Sequence, residues 1–191
     1  MRWLTLYARS RQLSLSAALV LFGALLALLL ADGGDDGTGD VPLAILLLTA
    51  NVTAATIGLA GQDAALDRTA AIRWVLRRAV HVLLIGGFAA AVLLAVQAAG
   101  PELATTTLVV RDAAGLVGLA ALGATLFGAV YAWILPTCWL AFTYLAPPLP
   151  GLAGEVGSWM VLSPATTVST GTPWALLATG TLLYALAGPR R

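Results

Sequence analysis

Residues 61–81 read GQDAALDRTAAIRWVLRRAVH, and the placement of this stretch decides the fold. It is the one internal segment dense in charge, and it divides two apolar runs that are each long enough to cross a bilayer. Crossing a hydrocarbon core about 30 Å thick takes roughly 20 apolar residues. With both runs spanning, residues 61–79 become a short polar connector on one side of a membrane. The segment holds Arg68, Arg73, Arg77 and Arg78, four of the chain's 10 basic residues. The positive-inside rule therefore puts the connector in the cytoplasm and orients everything else.

Composition agrees with a membrane setting. The 191 residues are 60% hydrophobic and 10% charged, with a mean hydropathy of +0.92, whereas a soluble domain carries about 25% charged residues. No polar stretch approaches the roughly 50 residues that a separate soluble domain needs. The expectation is an all-α integral membrane protein, residues 1–191 forming a single transmembrane domain. The net charge of +1 leaves no electrostatic footprint for nucleic acid, and none is expected as a partner. Cys138 is the lone cysteine and lies in an apolar run, which excludes a disulfide framework and reads as a buried, inert thiol. All basic residues are Arg and Ala, Leu and Gly dominate, in keeping with a GC-rich bacterial genome.

Working outward from the connector, residues 41–60 form the span before it, with Pro42 in the first turn, where a missing N–H costs little. Thr49, Thr53 and Thr56 share a face there, with Asn51 nearby, and are expected to hydrogen-bond across helices. The acidic, Gly-rich loop 32–40 precedes it and looks extracytoplasmic; its Asp residues alternate as in a calcium loop, but the bidentate Glu is missing. Residues 14–31 form the first span. Its eight Leu with Val20 and Phe22 favour insertion by roughly 5 kcal/mol. Residues 1–13 are amphipathic and read as an interfacial helix, with Trp3 and Tyr7 at the apolar boundary and Arg9 toward anionic lipid headgroups; the plainer alternative is a basic flank that fixes topology.

On the other side, residues 80–99 form the third span, ended by Gly100-Pro101, and residues 100–112, with Glu102, Arg111 and Asp112, return outside. Residues 113–147 contain no charge and are long enough for two helices, split near Gly128 to Trp133 into spans 113–130 and 132–147. Ala114, Gly118, Ala121, Thr125 and Gly128 lie on one stripe of small residues that lets another helix approach closely, within the chain or between chains. Residues 147–171, rich in Gly and Pro, are an outer loop that dips back toward the interface, and residues 171–187 form the last span. Six transmembrane helices put both termini in the cytoplasm. Arg111 alone among the arginines is then outside, while Asp63 and Asp67 alone among the acids are inside.

Chemistry is sparse. The predicted spans carry essentially no ionisable group, so no catalytic residue, no metal site and no cofactor site is expected. His81 is the single histidine, and without Lys no phosphate-binding Gly-Lys-Ser/Thr loop exists. The connector is the remaining candidate. Asp67 caps a short helix from Arg68, and Arg73, Arg77 and His81 recur at i, i+4 and i+8 with Trp74 beside them. One reading is a solvated face that only sets orientation; the other is a docking helix for a soluble, energy-supplying partner.

An amphipathic N-terminal helix, six spans, a charged helical connector after the second span, a re-entrant segment before the last and a short basic tail together resemble the permease subunits of type-2 ABC exporters. The resemblance implies that Asp67, Arg68, Arg73, Arg77 and Arg78 belong to a coupling helix seated in a cleft of a separate ABC ATPase subunit, and that residues 1–13 touch the same subunit. It further implies a homodimer or heterodimer with a second permease, with ATP bound by the partner and no cofactor in this chain. The location is then the bacterial inner membrane, and the cargo a small amphipathic compound, peptide or lipid. Two other readings are the substrate-binding component of an energy-coupling-factor importer, for which Ala24, Ala27 and Ala31 give a small-residue face, and a non-transport scaffold or sensor that binds anionic lipid or a regulator.

Overall fold

A computed structural model describes Gly23 and residues 40–56, 74–100, 102–147 and 149–190. The interfacial residues Trp3, Tyr7 and Arg9, and the connector residues Asp67, Arg68 and Arg73, lie outside the described residues. Among the described residues every regular element is helical and there is no strand.

Helix α1, Val41–Thr56, starts where its sequence supplies a cap. The Asp40 carboxylate accepts from the Leu43 N–H at 3.0 Å, and Pro42, in the first turn, has no N–H to satisfy. Ile45, Leu48 and Val52 recur at helical spacing and are completely buried. Gly23 backs onto this helix: a Cβ there would stand 3.1 Å from the Asn51 Oδ1.

Helix α2, Trp74–Ala99, is 26 residues long, about 39 Å at 1.5 Å per residue. Its first turns, with Arg77 and Arg78, belong to the predicted connector, so these two charges lie on the same helix as the apolar run after them. The turn after it is closed by the Gln97 side chain, which donates to the Ala104 carbonyl at 2.8 Å. Thr105 then caps helix α3, Thr106–Phe127, through its hydroxyl and the Leu108 N–H. Helix α3 has 22 residues, about 33 Å. Both α2 and α3 are long and apolar enough to cross a membrane. The central element is α3: 83% of its most apolar window is buried inside the bundle, against 39% for α2.

Gly128, at a φ of 103° that favours glycine, ends α3 and leads through a 3₁₀ turn, Ala129–Tyr131, into helix α4, Ile134–Leu145. Helix α5, Gly151–Gly157, folds back on α4. The Gly157 carbonyl accepts from Trp139 Nε1 at 3.1 Å and from the Thr143 hydroxyl at 3.3 Å, and a Cβ on Gly157 would meet the Phe142 ring at 2.6 Å. Helix α6, Thr167–Ala187, begins at Thr166, whose hydroxyl accepts from the Ser169 N–H at 3.2 Å, and carries Pro173 within it.

Close approaches fix the directions. Gly115 of α3 lies against Pro173, Gly118 against the backbone of Leu176 and Leu177 and against Gly180, and the Ala124 carbonyl accepts from the Arg190 N–H at 3.1 Å. Residue numbers rise together on both sides, so α3 and α6 run parallel. The Arg78 guanidinium, on the second turn of α2, sits at Gly188 just past α6, so α2 is antiparallel to both. The starts of α2 and the ends of α3 and α6 thus share one end of the bundle, here termed basal; Thr105 and Arg111 mark the apical end. A chain that leaves α3 at the base and re-enters α6 at the apex makes one net return between them.

Several boundaries differ from the sequence expectation. Residues 106–112, assigned to an outer loop, are the first two turns of α3. The predicted span 132–147 shortens to the 12 residues of α4, about 18 Å and less than a bilayer's hydrocarbon thickness. The predicted loop 147–171 holds α5 and the start of α6. Cys138, read as buried, is exposed on α4. Among the described residues two of the α1 threonines bond within their own helix rather than across helices as expected: Thr49 donates to Ile45 O, 2.8 Å away, and Thr56 to Thr53 O at 2.6 Å, the local back-bonding open to a hydroxyl on a helix.

Candidate functional site

The residues with most chemical character are at the two ends of α3. At the apical end Arg111 and Asp112 are both buried, at 2% and 0% exposure, on a helix where a loop is expected. Adjacent residues on a helix point about 100° apart, yet the long Arg111 side chain folds across and its Nε–H donates to Asp112 Oδ1 at 2.8 Å. The rest of the guanidinium serves the chain before α6: Nη1 donates to the Leu162 carbonyl at 2.9 Å and Nη2 to the Met160 carbonyl at 3.1 Å. One planar cation thereby joins α3 to the turn at residues 158–163 and satisfies two carbonyls that no helix uses.

Trp159 and Met160 seal this site and are completely buried. The Trp159 ring lies on Gly115, where a Cβ would collide with the ring and stand 2.8 Å from Pro173 Cβ. Two polar atoms here have no hydrogen-bond partner among the described residues, Asp112 Oδ2 and Trp159 Nε1. An acceptor and a donor left over in a sealed polar site are what a buried water accommodates. Through these bonds the pair holds the α5–α6 turn on α3 in one register.

Among the described residues three arginines lie at the basal end. Arg77 is exposed on the first turns of α2 and has contacts of its own. Arg78 is half-buried, its guanidinium 2.8 to 3.0 Å from where a Gly188 Cβ would be, which with a φ of 74° restricts position 188 to glycine. Arg190 donates from its backbone to Ala124 O at 3.1 Å and from Nη1 to Leu126 O at 3.3 Å. Those carbonyls are in the last turn of α3, where a cation is favoured by the helix dipole.

Of the expected docking residues, the structure places Arg78 against the tail at Gly188, with Arg77 exposed beside it on α2. Of the small-residue stripe, Ala114, Gly118 and Ala121 are buried in α3, Thr125 donates back to Ala121 O at 2.8 Å, and Gly128 stands past the helix end as its cap. Gly118 packs within the chain, on α6, and Gly115, which the stripe omitted, packs there as tightly. Sequence reasoning pairs Arg111 with Asp112, the neighbour that partly neutralises it, and the pair is there; what it missed is their burial. The signal for burial was the uncharged apolar run on either side, Leu108 to Val110 before the pair and Ala113 onward after it.

Two concavities accompany these ends. A cleft of about 350 Å³ opens between α4 and α5, lined by Phe142, Thr143, Glu155 and Ser158 among others. A groove of about 440 Å³ runs between α2 and α6 toward the base. Among the described residues no three of His, Cys, Asp or Glu come within metal-holding reach of one another. No family model, no curated protein and no solved structure matches the chain.

Proposed function

We propose that this chain is the membrane-embedded permease subunit of an ABC-type transporter, exporting a small amphipathic compound, peptide or lipid. In this reading it crosses a bacterial inner membrane six times with both termini in the cytoplasm, the fifth crossing being made by the 3₁₀ turn and α4 together, residues 129–145, and works with a second permease chain. A separate ATPase subunit docks on residues 61–79 and supplies the energy.

One observation carries the proposal. The charged end of α2 is built into the bundle, with the Arg78 guanidinium against Gly188 and the following tail, through Arg190, bonded to the end of α3. Displacement of the connector would therefore reach α2, α3 and α6 together, which is what a coupling element requires. The outer faces of the helices support the membrane setting. Leu76, Leu84 and Phe88 on α2 and Leu182 and Leu186 on α6 are exposed, an apolar surface that suits lipid and that soluble monomers rarely present.

The test is co-purification of the full chain with a Walker-motif ATPase encoded beside it, followed by substitution of Asp67, Arg73 and Arg77 by Ala. The expected result is loss of ATPase association with membrane insertion intact. Undiminished association in the triple variant removes the docking assignment, and failure of any such ATPase to co-purify removes the transporter reading.

A further inference from the structure

We infer that the basal groove between α2 and α6 is a binding site for one anionic phospholipid, with Arg78 holding the headgroup phosphate and one acyl chain lying along α6. The inference needs these helices in a bilayer but not the ATPase, and it is tested on the isolated chain.

The groove's length and lining identify its occupant. Val75, Ala79 and Leu83 form one wall, Leu186, Leu182 and Trp174 form much of the other, and Thr181 supplies the single hydroxyl. From Leu186 to Trp174 the groove follows α6 for about 18 Å at 1.5 Å per residue. Half of a hydrocarbon core about 30 Å thick is roughly 15 Å, so the groove is as long as one leaflet is deep. A partner's transmembrane helix would need a trough through both leaflets, whereas a single acyl chain is accommodated by one.

Charge decides the kind of lipid. Arg78 is flanked by Val75 and Ala79 on α2 and rests on Gly188, next to the Leu186 end of the groove. Among the described residues it has no carboxylate within ion-pair reach. Arg77 and Arg190 add positive charge at the same end, while the described acids, Asp40, Glu102, Asp112 and Glu155, all belong to apical segments. A cationic mouth on an apolar channel between helices is the arrangement that selects anionic headgroups, each nearby Arg strengthening binding roughly fivefold.

The experiment is native mass spectrometry of the full chain in detergent, offered equal amounts of phosphatidylglycerol and phosphatidylcholine with identical acyl chains. The expected result is one phosphatidylglycerol retained in roughly fivefold preference. Arg78→Gln should abolish the preference and Arg78→Lys should keep it. Leu182→Trp, a change at a side chain 58% exposed, should weaken retention of both lipids by filling the channel. Equal retention of the two lipids by the native chain, or a preference unchanged in Arg78→Gln, overturns the site. Displacement by soluble glycerol phosphate would make a free phosphate ester the ligand and overturn the lipid assignment, and no effect of Leu182→Trp would overturn the placement of the acyl chain.

Discussion

Replacing Arg111 by Met tests whether the apical end is held by charge. The native guanidinium makes three donations, to Asp112 Oδ1 and to the carbonyls of Met160 and Leu162. Methionine matches much of the side-chain volume and makes none of them, leaving a fully buried carboxylate without a counter-charge. Removing one partner of a buried pair costs about 3–5 kcal/mol. Asp112→Asn is milder, because the amide oxygen still accepts from Nε–H and Arg111 keeps both carbonyls; it forfeits a charge-assisted hydrogen bond worth about 1.5–3 kcal/mol. For a chain of this size 1 kcal/mol moves the melting temperature by roughly 2–4 °C. Arg111→Met should thus lower it by about 10 °C and Asp112→Asn by about half as much. The double variant should be more stable than Arg111→Met alone, since no bare carboxylate remains. Thermal unfolding of the detergent-solubilised chain, followed by the fluorescence of buried Trp159, reads all three. If Asp112→Asn is as damaging as Arg111→Met, or if the double variant is simply additive, the buried pair does not hold the turn.

Other expectations concern packing and caps. Gly118→Ala places a methyl in the backbone of Leu176 and Leu177, and Gly180→Ala places one in the backbone of Gly118; each should destabilise by about 1–3 kcal/mol or more. Gly87→Ala, which meets nothing within 4 Å, should be neutral or gain about 0.5–1 kcal/mol in the same unfolding assay. Asp40→Ala removes the acceptor for the Leu43 N–H and should cost about 1 kcal/mol, measured as a shift in the denaturant midpoint. Exposed Cys138 faces lipid in the six-span reading, so a spin label attached there should collide freely with lipid-soluble oxygen and little with a water-soluble relaxation agent; shielding from oxygen would contradict its position on α4.

The helical class, the two long apolar helices and the break at Gly128 to Trp133 were legible because each rests on a run of one character ended by turn chemistry. The start of α3 was not. Arg111 and Asp112 side by side look like loop residues, and only their mutual neutralisation together with carbonyls 49 and 51 positions away makes burial tolerable; such long-range partners leave no local trace. Residues 147–171 read as loop because Pro and Gly dominate, yet Gly154 packs on the Leu149 backbone with no room for a Cβ, so composition that breaks a long helix here builds a short one. The direction of the Cys138 side chain was equally hidden, since an apolar sequence around a residue does not say whether protein or lipid surrounds it. Asp67, Arg68 and Arg73, where the docking hypothesis is sharpest, lie outside the described residues, so that hypothesis still rests on the sequence pattern.

Because Gly118 and Gly180 touch backbone to backbone, α3 and α6 have no side chains between them to yield, and axial sliding meets immediate collision. Gly118 is about 14 Å from Phe127 at the base and about 10 Å from Arg111 at the apex, at 1.5 Å per residue. Gly115 on Pro173 and Ala124 on Arg190 tie the pair on either side of the crossing, so the two helices behave as one strut, and a push at the arginine-rich base is delivered to the opposite end without slack.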